Sequence, residues 1–66
     1  MSVSRIKLSN RLMIQFPNSS FPWIGVDVTP KGQRVVIDYK NCDEEELRRF
    51  CRKNWPDIVF FYFDKT

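Results

Sequence analysis

Few side chains in this chain could carry out chemistry. The 66 residues hold no histidine, so the side chain that most readily exchanges protons near neutral pH is missing. No serine sits in a nucleophile elbow. Gly25 and Gly32 alone cannot build a phosphate-cradling loop. The best carboxylate pair is Asp27 and Asp38, which the hairpin register argued below brings near each other on a polar strand face. Two close carboxylates can do general acid–base work. With Arg34 and Lys40 beside them, the simpler reading is two solvated strand residues. A chain this short also has little room for a pocket of roughly 300 Å³ or more. No enzyme activity, cofactor, metal or small-molecule substrate is expected.

The two cysteines suit neither a metal nor a disulfide. Without histidine, two thiols cannot complete a four-ligand zinc site within one copy. Cys42 and Cys51 are nine positions apart across a stretch that reads as helix, roughly 13 Å at the helical rise. A disulfide spans less than about 7 Å between Cα atoms. Two reduced thiols point to a reducing compartment, hence a cytoplasmic location.

Charge and aromatic rings offer two binding chemistries. The net charge is +3 and is concentrated in the first half of the chain. There Arg5, Lys7 and Arg11 would line one face if residues 5–11 were extended. Such a stripe beside exposed rings could grip single-stranded RNA or DNA, with phosphates on cations and bases on rings. Trp23, Phe61 and Phe63 are the rings for that role. Three or four phosphate contacts give only weak, salt-sensitive binding, and no GXXG or RNP1 signature is present. Basic residues are also an ordinary guard on strand edges. The same rings read equally as anchors for a protein or a second copy of the chain. Protein docking through Trp23, Phe61 and Phe63 is the primary expectation, and nucleic-acid binding through Arg5, Lys7 and Arg11 is the alternative.

The elements that must position these residues follow from periodicity. Ile6, Leu8, Leu12, Ile14 and Phe16 share one parity, which predicts an N-terminal strand over residues 5–16, in one piece or two. Pro17-Asn18-Ser19-Ser20 and Pro22 then make a loop. Ile24, Val26 and Val28 alternate on one side of Lys31-Gly32, and Val35, Ile37 and Tyr39 on the other. That predicts a hairpin with Lys31-Gly32 at the tip, Val28 opposite Val35 and Val26 opposite Ile37. Asp43 is an N-cap and Glu46 completes a capping box for a helix over 44–54. Acids fill its first turn, and pairs Glu44–Arg48 and Glu45–Arg49 lie four apart. Its basic run therefore reads as a solvated face.

The last stretch, residues 58–63, is apolar on both parities. It is expected inside the sheet, buried on two faces. The expected fold is α+β within one domain spanning 1–66: a small single-layer sheet of about four strands (N-terminal strand, hairpin, C-terminal strand) with one helix packed on one face. No apolar run approaches the roughly 20 residues that cross a bilayer as a helix, so no membrane partner is expected. One question stays open at this level: residues 17–23 could fold Phe21 and Trp23 over the second sheet face, or leave it bare.

Thiol labelling of the unfolded, unreduced protein is expected to count two per chain; a count of zero would mean the cysteines are paired within the chain.

Overall fold

The computed structural model describes residues 3–66, which form five elements: helix α1 (Arg5–Gln15), strands β1 (Ser20–Thr29) and β2 (Gly32–Lys40), helix α2 (Glu44–Asn54) and strand β3 (Val59–Asp64). The mixed α+β character stands as expected. The N-terminal segment does not: it is a helix, so the sheet has three strands rather than four and carries two helices rather than one.

The physical reason lies in which apolar residues are buried. Leu8 and Leu12 are fully buried, whereas Ile6, Met13 and Ile14 are 68%, 58% and 78% exposed. Leu8, Leu12 and the half-buried Phe16 are spaced by four, a spacing that suits one face of a helix and one parity of a strand alike. Ile6 and Ile14 completed the alternation without taking part in the core. Ser4 caps the helix by accepting a hydrogen bond from the Lys7 backbone N–H at 3.1 Å. Phe16 leaves helical geometry at φ −124°, ψ 72°, as the residue before a proline is driven to do.

The sheet order is β1-β2-β3, with β1 and β2 antiparallel and β2 and β3 parallel across α2. The hairpin differs from the expected register by two residues. Thr29 faces Gly32, Val26 faces Val35 and Ile24 faces Ile37, so Pro30-Lys31 is the tip. A shift of two keeps every side chain on its face, which is why the core face was assigned correctly. The tip moves because Pro30 has no N–H to give to a strand ladder. Gly32 then takes φ +131°, a conformation that side chains disfavour. The Thr29 hydroxyl closes the turn by donating to the Gly32 carbonyl at 2.7 Å.

Both helices pack on one face of the sheet. Leu8 and Leu12 from α1, Leu47 and Cys51 from α2, and Ile24, Val35, Ile37 and Tyr39 from the strands form one buried cluster with Val3. The single buried polar side chain among the described residues, Gln33, is satisfied at both ends. Its Oε1 accepts from the Val3 N–H at 2.8 Å and its Nε2 donates to the Val3 carbonyl at 2.7 Å, which ties the start of α1 to β2. Tyr39 fixes α2 in the same way, donating from its hydroxyl to Glu44 at 2.7 Å. That hydrogen bond, aided by burial, pushes the phenol up to about 12, and it holds the Glu44 carboxyl below its usual value.

Helix α2 spans the expected residues with the Asp43 cap in place, but without the return bond from the Asp43 N–H to Glu46 that would complete a capping box. Asp43 accepts from the Glu45 and Glu46 N–H groups, and both ion pairs form, at 3.1 Å for Glu44–Arg48 and 3.0 Å for Glu45–Arg49. Both cysteines are free, Cys51 fully buried and Cys42 half-buried. Burial pushes the Cys51 thiol up to about 11, so it stays protonated and unreactive while the protein is folded. Strand β3 is the remaining correction: it lies at the edge of the sheet, not inside it.

Leu12→Ala is expected to cost about 2–5 kcal/mol in chemical denaturation, and Ile14→Ala about 0.5 kcal/mol or less. Equal costs would restore the extended reading of residues 5–16.

Candidate functional site: the open face of the sheet

With both helices on one side, the other side of the sheet carries the residues of opposite parity. The pairing sets them in three rows across the strands: Trp23, Asp38 and Phe63; Gly25, Val36 and Phe61; Asp27, Arg34 and Val59. Trp23 is 55% exposed, Phe61 45% and Phe63 49%. The structure therefore brings all three nominated rings onto one surface. At ordinary strand spacing Trp23 and Phe63 flank Asp38 at roughly 10 Å, and Phe61 follows Phe63 about 7 Å further back along β3.

A β-bulge decides which aromatic reaches this face. Ser20 pairs with Lys40, but Trp23 pairs with Asp38, so β1 carries one extra residue at Phe21-Pro22. Strict alternation from Ser20 would send Trp23 to the core. The extra residue re-aims it outward, the usual effect of a bulge. Phe21 stays on the core side, edge-on to Phe16 at 6.3 Å. Residues 17–23 thus cover the second sheet face only through Trp23 and leave Phe61 and Phe63 half-exposed.

Gly25 provides the seat for the Trp23 indole. A Cβ built on Gly25 would overlap the indole, lying 2.8 Å from its Cζ3 atom. The ring therefore lies across the glycine, a known way for an aromatic to cover a bare strand position. Sequence reasoning passed over Gly25, because a glycine in a strand does not announce what approaches it. The i+2 spacing of Trp23 and Gly25 on one strand face was the available signal.

The charges on this face balance. Asp27 and Asp38 are offset by Arg34 and Lys40. The corrected register also separates the two carboxylates. Asp27 stands opposite Arg34 and Asp38 opposite Trp23, two rows apart, roughly 13 Å along the strands. The proximity that acid–base chemistry would need is absent.

Arg5, Lys7 and Arg11 do not form a stripe, because they lie on a helix. Lys7 and Arg11 are one turn apart, and Arg5 points elsewhere around the axis. Arg11 is engaged with α2, donating to the Asn54 side chain at 2.8 Å and lying 5.8 Å from the Phe50 ring centre and 5.3 Å from that of Trp55. Arg5 instead borders a cleft of about 210 Å³ beside Phe21 and Trp23. Among the described residues no helix is long and apolar enough to cross a membrane.

No protein-family model, curated protein or solved structure matches this chain. What the site does must therefore be read from its own geometry.

The Gly25 α-proton resonances are expected upfield of their usual position, because the indole lies over them, and to return toward it in Trp23→Ala. Unshifted protons in the unmodified protein would place the indole elsewhere.

Proposed function

We propose that this protein is a non-enzymatic binding module that docks a partner protein on the open face of its sheet. Trp23, Phe61 and Phe63 are the anchors. The observation that carries the reading is three half-exposed rings on a face that no described element covers. Contiguous aromatic surface on a small domain marks an interaction site, and Trp in particular is enriched among the residues that dominate binding energy.

The polarity of the face favours a protein over a nucleic acid. A strand of phosphates needs uncompensated cations along its track. Here Asp38 sits between Trp23 and Phe63, and two acids cancel two bases. A protein surface with an apolar centre and mixed charges around it fits better, since interfaces join such a centre to a polar rim. The Trp23 ring is also held by Gly25 before any partner arrives, so little side-chain freedom is lost on docking.

The test is chemical cross-linking and recovery from cell extract, comparing the unmodified protein with Trp23→Ala, Phe63→Ala and the double variant Arg5→Gln/Lys7→Gln. A partner is expected to survive nuclease treatment, to be retained by the double variant, and to bind each ring variant at least fivefold more weakly, equivalent to about 1 kcal/mol. Thermal unfolding must show each variant still folded. Nuclease-sensitive recovery, or oligonucleotide binding that the double variant weakens, would overturn the proposal in favour of nucleic acid.

A further inference from the structure

Strand β3 has the composition of a central strand and the position of an edge strand. Val59-Phe60-Phe61-Tyr62-Phe63 is apolar on both parities, the pattern of strands flanked on both sides. Yet β2 is its sole neighbour in the sheet among the described residues, so its outer backbone groups have no strand to pair with. The opposite edge is guarded: β1 carries Pro22 and a bulge, two ordinary devices against edge pairing. β3 has neither, and no charge before Asp64.

Rings flank that edge on both faces, bare on the open side and accompanied by arginines on the helix side. Val59, Phe61 and Phe63 stand half-exposed on the open side. On the helix side a cleft of about 300 Å³ is lined by Trp55, Ile58, Phe60 and Tyr62 together with Arg48 and Arg52, and Arg48 lies over the Tyr62 ring at 4.6 Å. One added strand would cover both.

We propose that the added strand is β3 of a second copy, antiparallel about a two-fold axis at Phe61, so that two sheets join into one of six strands. The segment is self-complementary in this register. Phe61 meets Phe61 of the partner subunit, Phe60 meets Tyr62 of the partner subunit, and Val59 meets Phe63 of the partner subunit. Each pairing joins residues of equal parity, so the helix faces of the two copies stay on one side. The flanking charges are of opposite sign: Asp57, in the turn before the strand, and Lys65 of the partner subunit, just after it, fall at the same end of the paired strands, at both ends. In-register parallel pairing would instead oppose like charges, which is unfavourable. Stable interfaces bury about 1,200–2,000 Å² in total, so backbone pairing of two six-residue strands needs the flanking rings as well. The inference shares Phe61 and Phe63 with the proposed docking face and differs from it at Trp23, which lies two strands away and stays uncovered in the dimer.

The experiment measures mass in solution across a concentration series for the full chain. A dimer of twice 8.0 kDa is expected. Phe61→Lys, which sets two ammonium groups against each other on the axis, is expected to weaken association at least tenfold while thermal unfolding shows the fold retained. Trp23→Ala is expected to leave the dimer intact, which separates failure here from failure of the docking surface. Phe61→Cys in a Cys42→Ser background is expected to oxidise to a linked dimer. Opposed Cα atoms in an antiparallel pair lie about 4.5–5.5 Å apart, within disulfide reach. This variant decides the matter if Phe61→Lys does not fold. A monomer at the highest concentration, growth beyond a dimer, a dimer that survives Phe61→Lys, loss of the dimer in Trp23→Ala, or a dimer that Phe61→Cys cannot link would each overturn the proposal.

Discussion

The packing of both helices against one face of three strands is the constraint on which everything else depends. Leu8, Leu12, Leu47 and Cys51 converge on Ile24, Val35, Ile37 and Tyr39 and leave one closed cluster. A chain of this length buries only roughly 60% of its unfolded surface, so both helices go to a single core and the second sheet face stays uncovered. The arrangement is held at two points by polar contacts. Gln33 clamps the backbone of Val3, and Tyr39 bonds the first turn of α2. Each removes a buried polar group from the list of unpaired ones, where it would otherwise be costly.

The aromatic residues divide along this line. On the helix side, Phe21, Phe16, Phe50, Trp55, Phe60 and Tyr62 form a chain with successive ring centres between 5.6 and 6.3 Å apart. Arginines close its surface, Arg11 over Phe50 and Trp55, and Arg48 over Tyr62 at 4.6 Å. Cations stacked on rings in this way stabilise the contact and shield apolar area. The rings of the open face have no such cover. Arg11, one of the three basic residues read as phosphate ligands, is thus part of the scaffold, while the exposed rings remain available for contact.

Much of the architecture was legible from local chemistry. The cap at Asp43, the acid-then-base order of α2 and its two ion pairs depend on residues within one or two turns, and all formed as read. The outward face of Trp23 followed from the alternation of Ile24, Val26 and Val28, which a two-residue slip in register cannot disturb, whereas residues 58–63, apolar on both parities, carried no such signal for Phe61 and Phe63. The free state of Cys42 and Cys51 followed from helical rise alone.

Tertiary structure decided what local pattern leaves ambiguous. Spacing by four is both helical and even, so Leu8, Leu12 and Phe16 could not choose between helix and strand; packing against the sheet chose, and left Ile6 and Ile14 in solvent. The tip of the hairpin depended on where Pro30 could sit without a lost hydrogen bond, and the path of the chain from Ser20 to Trp23 on a bulge invisible in the pattern of residue types. The position of β3 at the edge was beyond local reading altogether. Its composition states how many apolar neighbours the strand can satisfy. How many it receives is set by strand order, because pairing in a sheet joins residues distant in the chain.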